Sequence, residues 1–114
     1  MYYSSEDLLM DIQIEINFIS ESLVDVDEDT FFRNNMMKHG IVKAIEIIGE
    51  CSKKLNDEFK MKNISVDWKN IIGMRNRMVH DYKGTDFVLV FEIAKTEIPK
   101  LKTQIENILE NKNF

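Results

Sequence analysis

Residues 41–55 read Ile-Val-Lys-Ala-Ile-Glu-Ile-Ile-Gly-Glu-Cys-Ser-Lys-Lys-Leu, and this stretch decides the fold. Its apolar residues recur every three or four positions, which is the spacing of one face of an α-helix. The pattern continues upstream and predicts a helix from about Phe31 to Leu55. Its broad apolar face comprises Phe31, Met37, Ile41, Ala44, Ile45, Ile48, Cys51 and Leu55. Gly49 lowers helix propensity, so we expect it to permit a close contact with a neighbouring helix.

A first helix is predicted upstream, over residues 5–24, where apolar side chains again follow each other in steps of three and four. Ser4 or Ser5 can cap its start. The acidic connector at 25–29 is most simply interpreted as capping, with Thr30 available as the cap of the second helix.

Two helical stretches are predicted downstream. The third helix begins near Trp68, and Gly84 supplies its C-terminal stop. Thr85 can cap the last helix, although residues 87–91, Phe-Val-Leu-Val-Phe, would also suit a strand. Pro99 lacks an amide donor and clashes with the preceding turn, so the last helix should be kinked or divided there.

These patterns together predict an all-α fold. We expect one domain over residues 1–114, an antiparallel bundle of four main helices plus a short helix within the polar segment 55–65. No apolar run is long enough to cross a bilayer, so we expect a cytoplasmic protein. Cys51 has no partner for an intramolecular disulfide and is interpreted as a buried structural thiol.

The charge balance limits how the chain can meet nucleic acid. A formal net charge of −5 argues against coating nucleic acid by bulk electrostatics. Any such contact must be local. One basic cluster also contains possible catalytic groups, and it consists of Lys69, Arg75, Arg77, His80 and Lys83. The alternative is that the lysines and Arg77 form a solvated face.

Residues 75–82, Arg-Asn-Arg-Met-Val-His-Asp-Tyr, are the segment whose chemistry exceeds its packing needs. An arginine can bind a phosphate through a planar fork of donors, and a histidine can carry protons near neutral pH. On an ideal helix Arg75 and His80 lie about 140° apart around the axis. They can meet at one phosphate if the helix loosens before His80, or if two copies face each other. The alternative interpretation is structural, with Arg77 pairing Asp81 and with His80 and Tyr82 closing a helix end.

Two segments carry a family resemblance: Ala44-Ile-Glu-Ile-Ile-Gly-Glu50, and Val66-Asp-Trp-Lys-Asn-Ile-Ile-Gly followed by the motif to Tyr82. They resemble the HEPN superfamily and, within it, the HepT-like toxins. The likeness extends to Phe91-Glu-Ile and Ile98-Pro-Lys-Leu101, and so covers most of the chain. The family signature of Arg, four residues, His, one residue and Tyr falls on Arg75, His80 and Tyr82.

The resemblance implies a metal-independent ribonuclease that is the toxin of a type VII-like toxin–antitoxin system. Arg75 and His80 would be its catalytic residues, in a cleft between the two chains of a homodimer. No cofactor and no metal are expected. The partner would be a minimal nucleotidyltransferase antitoxin that adenylylates Tyr82. The alternative function is a non-catalytic helical subunit that binds a nucleotidyltransferase.

Two further residues are predicted to support the site. Asn76 would orient the phosphate or the imidazole, or is simply an exposed helix residue. Glu46 would hold Arg75, or is simply solvated. A metal-binding role for Glu46 with Glu50, one turn on, is less favoured because no histidine lies close to them in sequence.

Overall fold

Four helical stretches bury their apolar faces against one another, as the three-and-four spacing predicts. The structure is a computed structural model that describes residues 3–80 and 84–114, with His80 described through its main chain. In chain order the elements are α1 (Ser5–Ser22), α2 (Glu28–Arg33), α3 (Asn35–Lys54), α4 (Asp57–Lys62), α5 (Trp68–Ile72), α6 (Met74–Met78), β1 (Val79–His80), β2 (Gly84–Thr85), α7 (Phe87–Glu92), a π-helical turn (Ile93–Glu97) and α8 (Ile98–Glu110). The all-α prediction is confirmed.

The predicted second helix is divided, because the chain is extended at Asn34. Its side-chain oxygen accepts the amide of Met37 at 3.0 Å and caps α3. The short α2 is capped by Asp27, which accepts the amide of Thr30 at 2.8 Å. Thr30 therefore donates to the capping side chain of Asp27 and is not the cap itself. The short helix α2 is an addition to the one short helix predicted within residues 55–65. Ser4 caps α1 as expected, accepting the amide of Asp7 at 3.1 Å.

α1 and α3 form the centre of the bundle and run antiparallel. The Phe18 ring lies over Gly40 near the start of α3, while the Lys54 ammonium at its end lies 5.4 Å from the centre of the Tyr3 ring. The fully buried side chains between the helices include Ile12, Ile16, Ile19, Ile41, Ile45 and Ile48. Cys51 is a buried free thiol, as predicted, and burial raises its pKa.

Trp68 anchors the start of the third stretch in the core. It is buried, and its indole N–H donates to the Asn63 carbonyl at 3.1 Å. Asp67 caps α5 by accepting the amide of Asn70 at 3.1 Å. This cap and the buried indole fix where α5 begins and therefore where the motif lies.

The last stretch is helical from Phe87, and it is divided before Pro99, as predicted. The amide of Ile98 donates to the Ile93 carbonyl, five residues back, so the turn before the proline is wider than an α-turn. Pro99 has no amide to donate, and it lies in the first turn of α8, where none is needed. Asp86 caps α7 in place of the predicted Thr85, by accepting the amide of Leu89 at 3.1 Å.

A search of the described helices finds none with the length and apolar character of a membrane-spanning segment.

Candidate active site

The motif segment begins in a helix and ends in a strand. α6 ends at Met78, and Val79 is extended, with φ −109° and ψ 127°. Val79 pairs with Thr85 and His80 with Gly84 in a two-residue antiparallel ladder. The amide of Asp86 donates to the Met78 carbonyl at 2.6 Å, next to the ladder. The prediction of a helix that continues past His80 to a stop at Gly84 is therefore wrong, because these cross-strand bonds compete with the next helical turn.

This transition changes the geometry expected for Arg75 and His80. The separation of about 140° holds only for an uninterrupted helix. Since α6 ends two residues before His80, that angle does not apply. The sequence leaves open two ways for Arg75 and His80 to meet. The first, an end of the helix before His80, is observed within one chain.

Arg75 lies on the exposed side of α6, with 59% of its side chain accessible. Its Nε lies 3.9 Å from the Glu46 Oε2 on α3, which is too long for a hydrogen bond. The Glu46 side chain is 35% accessible. This pairing is the one predicted for Glu46, and the Arg75 side chain stays largely exposed beside it.

The motif stretch packs against α3 at Gly49. A Cβ built on Gly49 would lie 3.6 Å from the Ile71 carbonyl oxygen and 3.7 Å from that of Ile72. These are ordinary van der Waals separations, so an alanine would fit here without moving α5. The helix contact that the sequence predicts at this position is present, but it does not require a glycine.

The remaining predicted site residues are placed only in part. Asn76 is exposed on α6, next to Arg75. His80 is placed by its main chain, in the ladder with Gly84. Tyr82, the predicted modification site, lies outside the described residues, as do Asp81 and Lys83. The roles assigned to these residues stay predictions.

Arg77 makes a contact that the sequence did not reveal. Its two terminal nitrogens donate to the two carboxylate oxygens of Glu97, at 3.0 and 2.9 Å, and Asn70 donates to the same carboxylate at 2.8 Å. The hydrogen bonds from Arg77 lower the pKa of Glu97, against the opposing effect of burial. Within the described residues, the Arg77 Nε is buried without a hydrogen-bond partner.

This contact replaces the interpretation of Arg77 as part of a solvated face, because the guanidinium is half-buried and forks onto Glu97. Its predicted i,i+4 partner, Asp81, lies outside the described residues. Arg77 and Glu97 are 20 residues apart. The π-helical turn that ends at Glu97 brings them together, and no local sequence pattern predicts such a turn.

A second unpredicted cluster lies where α3 meets the start of α7. The Lys38 ammonium lies 4.7 Å from the centre of the Phe87 ring, and the His39 ring meets the same ring edge to face, with centres 6.0 Å apart. Phe87 follows directly after the cap residue Asp86, so this cluster lies next to the ladder of the motif.

Within residues 3–80 and 84–114, no three histidine, cysteine or carboxylate side chains are grouped as metal ligands. Glu50, considered as a ligand with Glu46, is exposed one turn further along α3. Glu46 contacts a guanidinium, and that contact fits the predicted supporting role better than metal ligation.

Comparison with known proteins supports the resemblance. The family described as Ribonuclease HepT-like matches residues 12–108. A Methanocaldococcus jannaschii protein named "Putative RNase MJ1380" is 38% identical over 98 residues, which is 86% of this chain and 90% of that protein. A Thermococcus cleftensis protein named "Probable ribonuclease HepT" is 31% identical over 108 residues, 95% of this chain and 98% of that protein. No solved structure gives a significant match. The chain belongs to the HepT-like ribonucleases, a family of RNA-cleaving enzymes.

Proposed function

We propose that this chain is a metal-independent endoribonuclease in which Arg75 and His80 are the catalytic residues, and that it acts as the toxin of a type VII-like toxin–antitoxin system. The observation that carries the proposal is the end of α6 at Met78. It releases His80 from the helical register of Arg75, while the Arg75 guanidinium remains exposed beside Glu46.

The chemistry uses groups of this chain alone. His80 accepts the proton of a ribose 2′-hydroxyl, and the 2′-oxygen attacks the neighbouring phosphorus. The bond from phosphorus to the 5′-oxygen breaks, and that oxygen takes a proton from an imidazolium. The products are a 2′,3′-cyclic phosphate and a 5′-hydroxyl. Arg75 stabilises the negative charge that develops on the phosphoryl oxygens.

Glu46 and Asn76 support these two residues. The Glu46 carboxylate, at 3.9 Å, limits the directions in which Arg75 can point without neutralising it in a tight pair. Asn76 is exposed next to Arg75 and can donate from its amide to the same phosphate.

The active form is proposed to be a homodimer with a shared cleft, in which each chain contributes one Arg75 and one His80. A twofold axis is the commonest symmetry of small oligomers. It would supply one imidazole as base and a second as acid. The ideal-helix argument for this dimer no longer applies, because α6 ends before His80. The proposal therefore rests on the family alone, and sedimentation of the purified protein checks it. Cleavage by a monomer at high dilution would contradict it.

Tyr82 is the proposed control point. A minimal nucleotidyltransferase antitoxin would attach adenylate to its phenol, two residues beyond His80. Each adenylate adds negative charge and bulk where an RNA phosphate must approach Arg75. Tyr82→Phe should remain toxic when co-expressed with a competent antitoxin, and intact-mass spectrometry should find no adenylate on it. Full neutralisation of this variant, without a tight complex, would refute the control.

The enzymatic proposal is tested with purified protein and RNA in the presence of EDTA. We expect cleavage with 2′,3′-cyclic phosphate ends, loss of cleavage in His80→Ala, and no cleavage of a 2′-O-methyl RNA of the same sequence, which has no nucleophile. If the wild-type protein binds the nucleotidyltransferase but cuts no RNA, the alternative of a non-catalytic binding subunit is correct.

A further inference from the structure

One ridge of α3 runs beside the motif, and it is formed by Lys38, Val42 and Glu46. These positions are spaced by four, so they lie above one another on one side of the helix. At one end Glu46 faces Arg75, and at the other Lys38 lies against Phe87. The first contact is made by α6, which carries Arg75, and the second by Phe87 at the start of α7, two residues after the ladder.

The length of this ridge is set by the rise of the helix. Eight residues separate Lys38 from Glu46, which is about 12 Å at ~1.5 Å per residue. At the ~3.4 Å per nucleotide of a stacked B-form strand, the ridge spans about three to four nucleotides. A strand with its scissile phosphate at Arg75 can therefore place another of its phosphates at Lys38.

The Phe87 ring holds the two basic side chains at this end in place. The Lys38 ammonium lies 4.7 Å from the ring centre, and the His39 ring is set at 88° to the same ring. A lysine that is already held against an aromatic ring loses less side-chain freedom on binding an anion than one that extends into water. The exposed His39 adds an N–H donor beside it.

We propose that Lys38, with His39, is a second phosphate-binding subsite of this enzyme, which takes a backbone phosphate of the RNA strand about three to four nucleotides from the scissile one. The proposal rests on the proposed ribonuclease function. In a chain with a net charge of −5, a subsite of this kind adds local affinity for RNA where bulk charge opposes it.

Lys43 provides the matched control. It lies on the same helix and carries the same charge, and it is exposed. Five residues from Lys38 correspond to about 140° around the axis, so it faces away from the Lys38 end of the ridge. It lies three residues from Glu46, at the other end. A general loss of positive charge from α3 would affect both lysines equally. A subsite would affect only Lys38.

The test measures binding of a fluorescent, random-sequence 2′-O-methyl RNA dodecamer, which cannot be cleaved through a 2′-hydroxyl, across a range of salt concentrations. Loss of one phosphate contact lowers the slope of log K against log salt by about 0.7 for a single strand. We expect this change in Lys38→Ala, with affinity about two- to five-fold weaker, as for one exposed charge contact. Lys38→Arg and Lys43→Ala should keep the wild-type slope. His39→Ala should weaken binding to a smaller extent.

Each result separates this proposal from the proposed function. Equal slopes for Lys38→Ala and Lys43→Ala, in a wild-type protein that cleaves RNA, would overturn the subsite and leave the ribonuclease intact. A selective change in Lys38→Ala, in a wild-type protein that cuts no RNA, would support the subsite and overturn the catalytic proposal. If Lys38→Ala weakens binding of the nucleotidyltransferase but not of RNA, the ridge contacts a protein and the subsite is wrong.

Discussion

Arg75 and Arg77 lie two residues apart on α6, and their surroundings differ sharply. The Arg75 side chain is 59% accessible and meets its carboxylate at 3.9 Å. The Arg77 side chain is 37% accessible and binds both oxygens of Glu97 at 3.0 and 2.9 Å. A guanidinium whose two terminal nitrogens already bind one carboxylate cannot offer the same fork to a phosphate. The comparison indicates that Arg77 holds α6 in place and that Arg75 is left available for chemistry.

The largest expected effect is that of changing His80, which lies two residues beyond the end of α6. His80→Ala should lower the rate of RNA cleavage by about 10²- to 10⁴-fold, the usual contribution of a general acid or base. Its main chain is paired with Gly84, and this pairing does not need the imidazole. We therefore expect the circular dichroism spectrum and the unfolding midpoint to stay near those of wild type. A folded His80→Ala protein with full activity would remove His80 from the mechanism.

The second effect falls on stability, on the Arg77 side of α6. Arg77→Ala leaves the Glu97 carboxylate with Asn70 as its remaining hydrogen-bond donor among the described contacts. We expect the free energy of unfolding to fall by about 1–3 kcal/mol, since a charge-assisted bidentate pair is lost from a half-buried position. Urea unfolding measures the change. Lys69→Ala, at an exposed position nearby, is the control and should change stability by less than about 0.5 kcal/mol.

The pH dependence of stability is a second test of the contact between Arg77 and Glu97. The hydrogen bonds from Arg77 lower the pKa of Glu97 below its ordinary value of 4.5. A group with a lowered pKa in the folded state stabilises the fold above its unfolded pKa, and this contribution is lost as the pH falls through the folded pKa. The unfolding midpoint of the wild-type protein should therefore fall more steeply below pH ~4.5 than that of Glu97→Gln. If the unfolding midpoints of the two proteins fall equally steeply as the pH is lowered, this carboxylate does not stabilise the fold.

The smallest effect is expected at Glu46. Exposed ion pairs contribute about 0–1 kcal/mol, and this one is longer than a hydrogen bond. Glu46→Gln should lower the cleavage rate by less than about five-fold and leave stability within about 0.5 kcal/mol of wild type. A much larger loss of rate at unchanged stability would mean that Glu46 takes part in the reaction itself.

The parts of the fold that follow a repeating pattern could be predicted from the sequence. The apolar residues of α1 and α3 keep the same three-and-four spacing along each helix. The Ser4 cap and the division of the last helix before Pro99 depend only on residues close in sequence. The contact at Gly49 could also be predicted, although an added Cβ there would meet the α5 carbonyls at ordinary van der Waals distance, so the glycine is not required.

The breaks at Asn34 and Met78 could not be predicted, because they depend on competition between a helical turn and other hydrogen bonds. Asn34 caps α3 at the expense of continuity with α2, and the ladder from Val79 to Thr85 replaces the next turn of α6. At the site, Arg75 and His80 could be identified as candidate residues from the motif. The Glu97 partner of Arg77 was not, since the two residues are distant in sequence.

The most direct test of the account is a crossed measurement on the two arginines, in which the cleavage rate and the free energy of unfolding are determined for Arg75→Ala and Arg77→Ala at a temperature where both are folded. We predict that Arg75→Ala loses about 10²- to 10³-fold in rate, as for loss of one group that stabilises the transition state, and keeps wild-type stability. Arg77→Ala should lose stability and retain cleavage within about ten-fold of wild type, the loss reflecting looser positioning of the site. The reverse result is an active Arg75→Ala protein and a stable but inactive Arg77→Ala protein. It would contradict the assignment of the chemistry to Arg75 and of the structural role to Arg77.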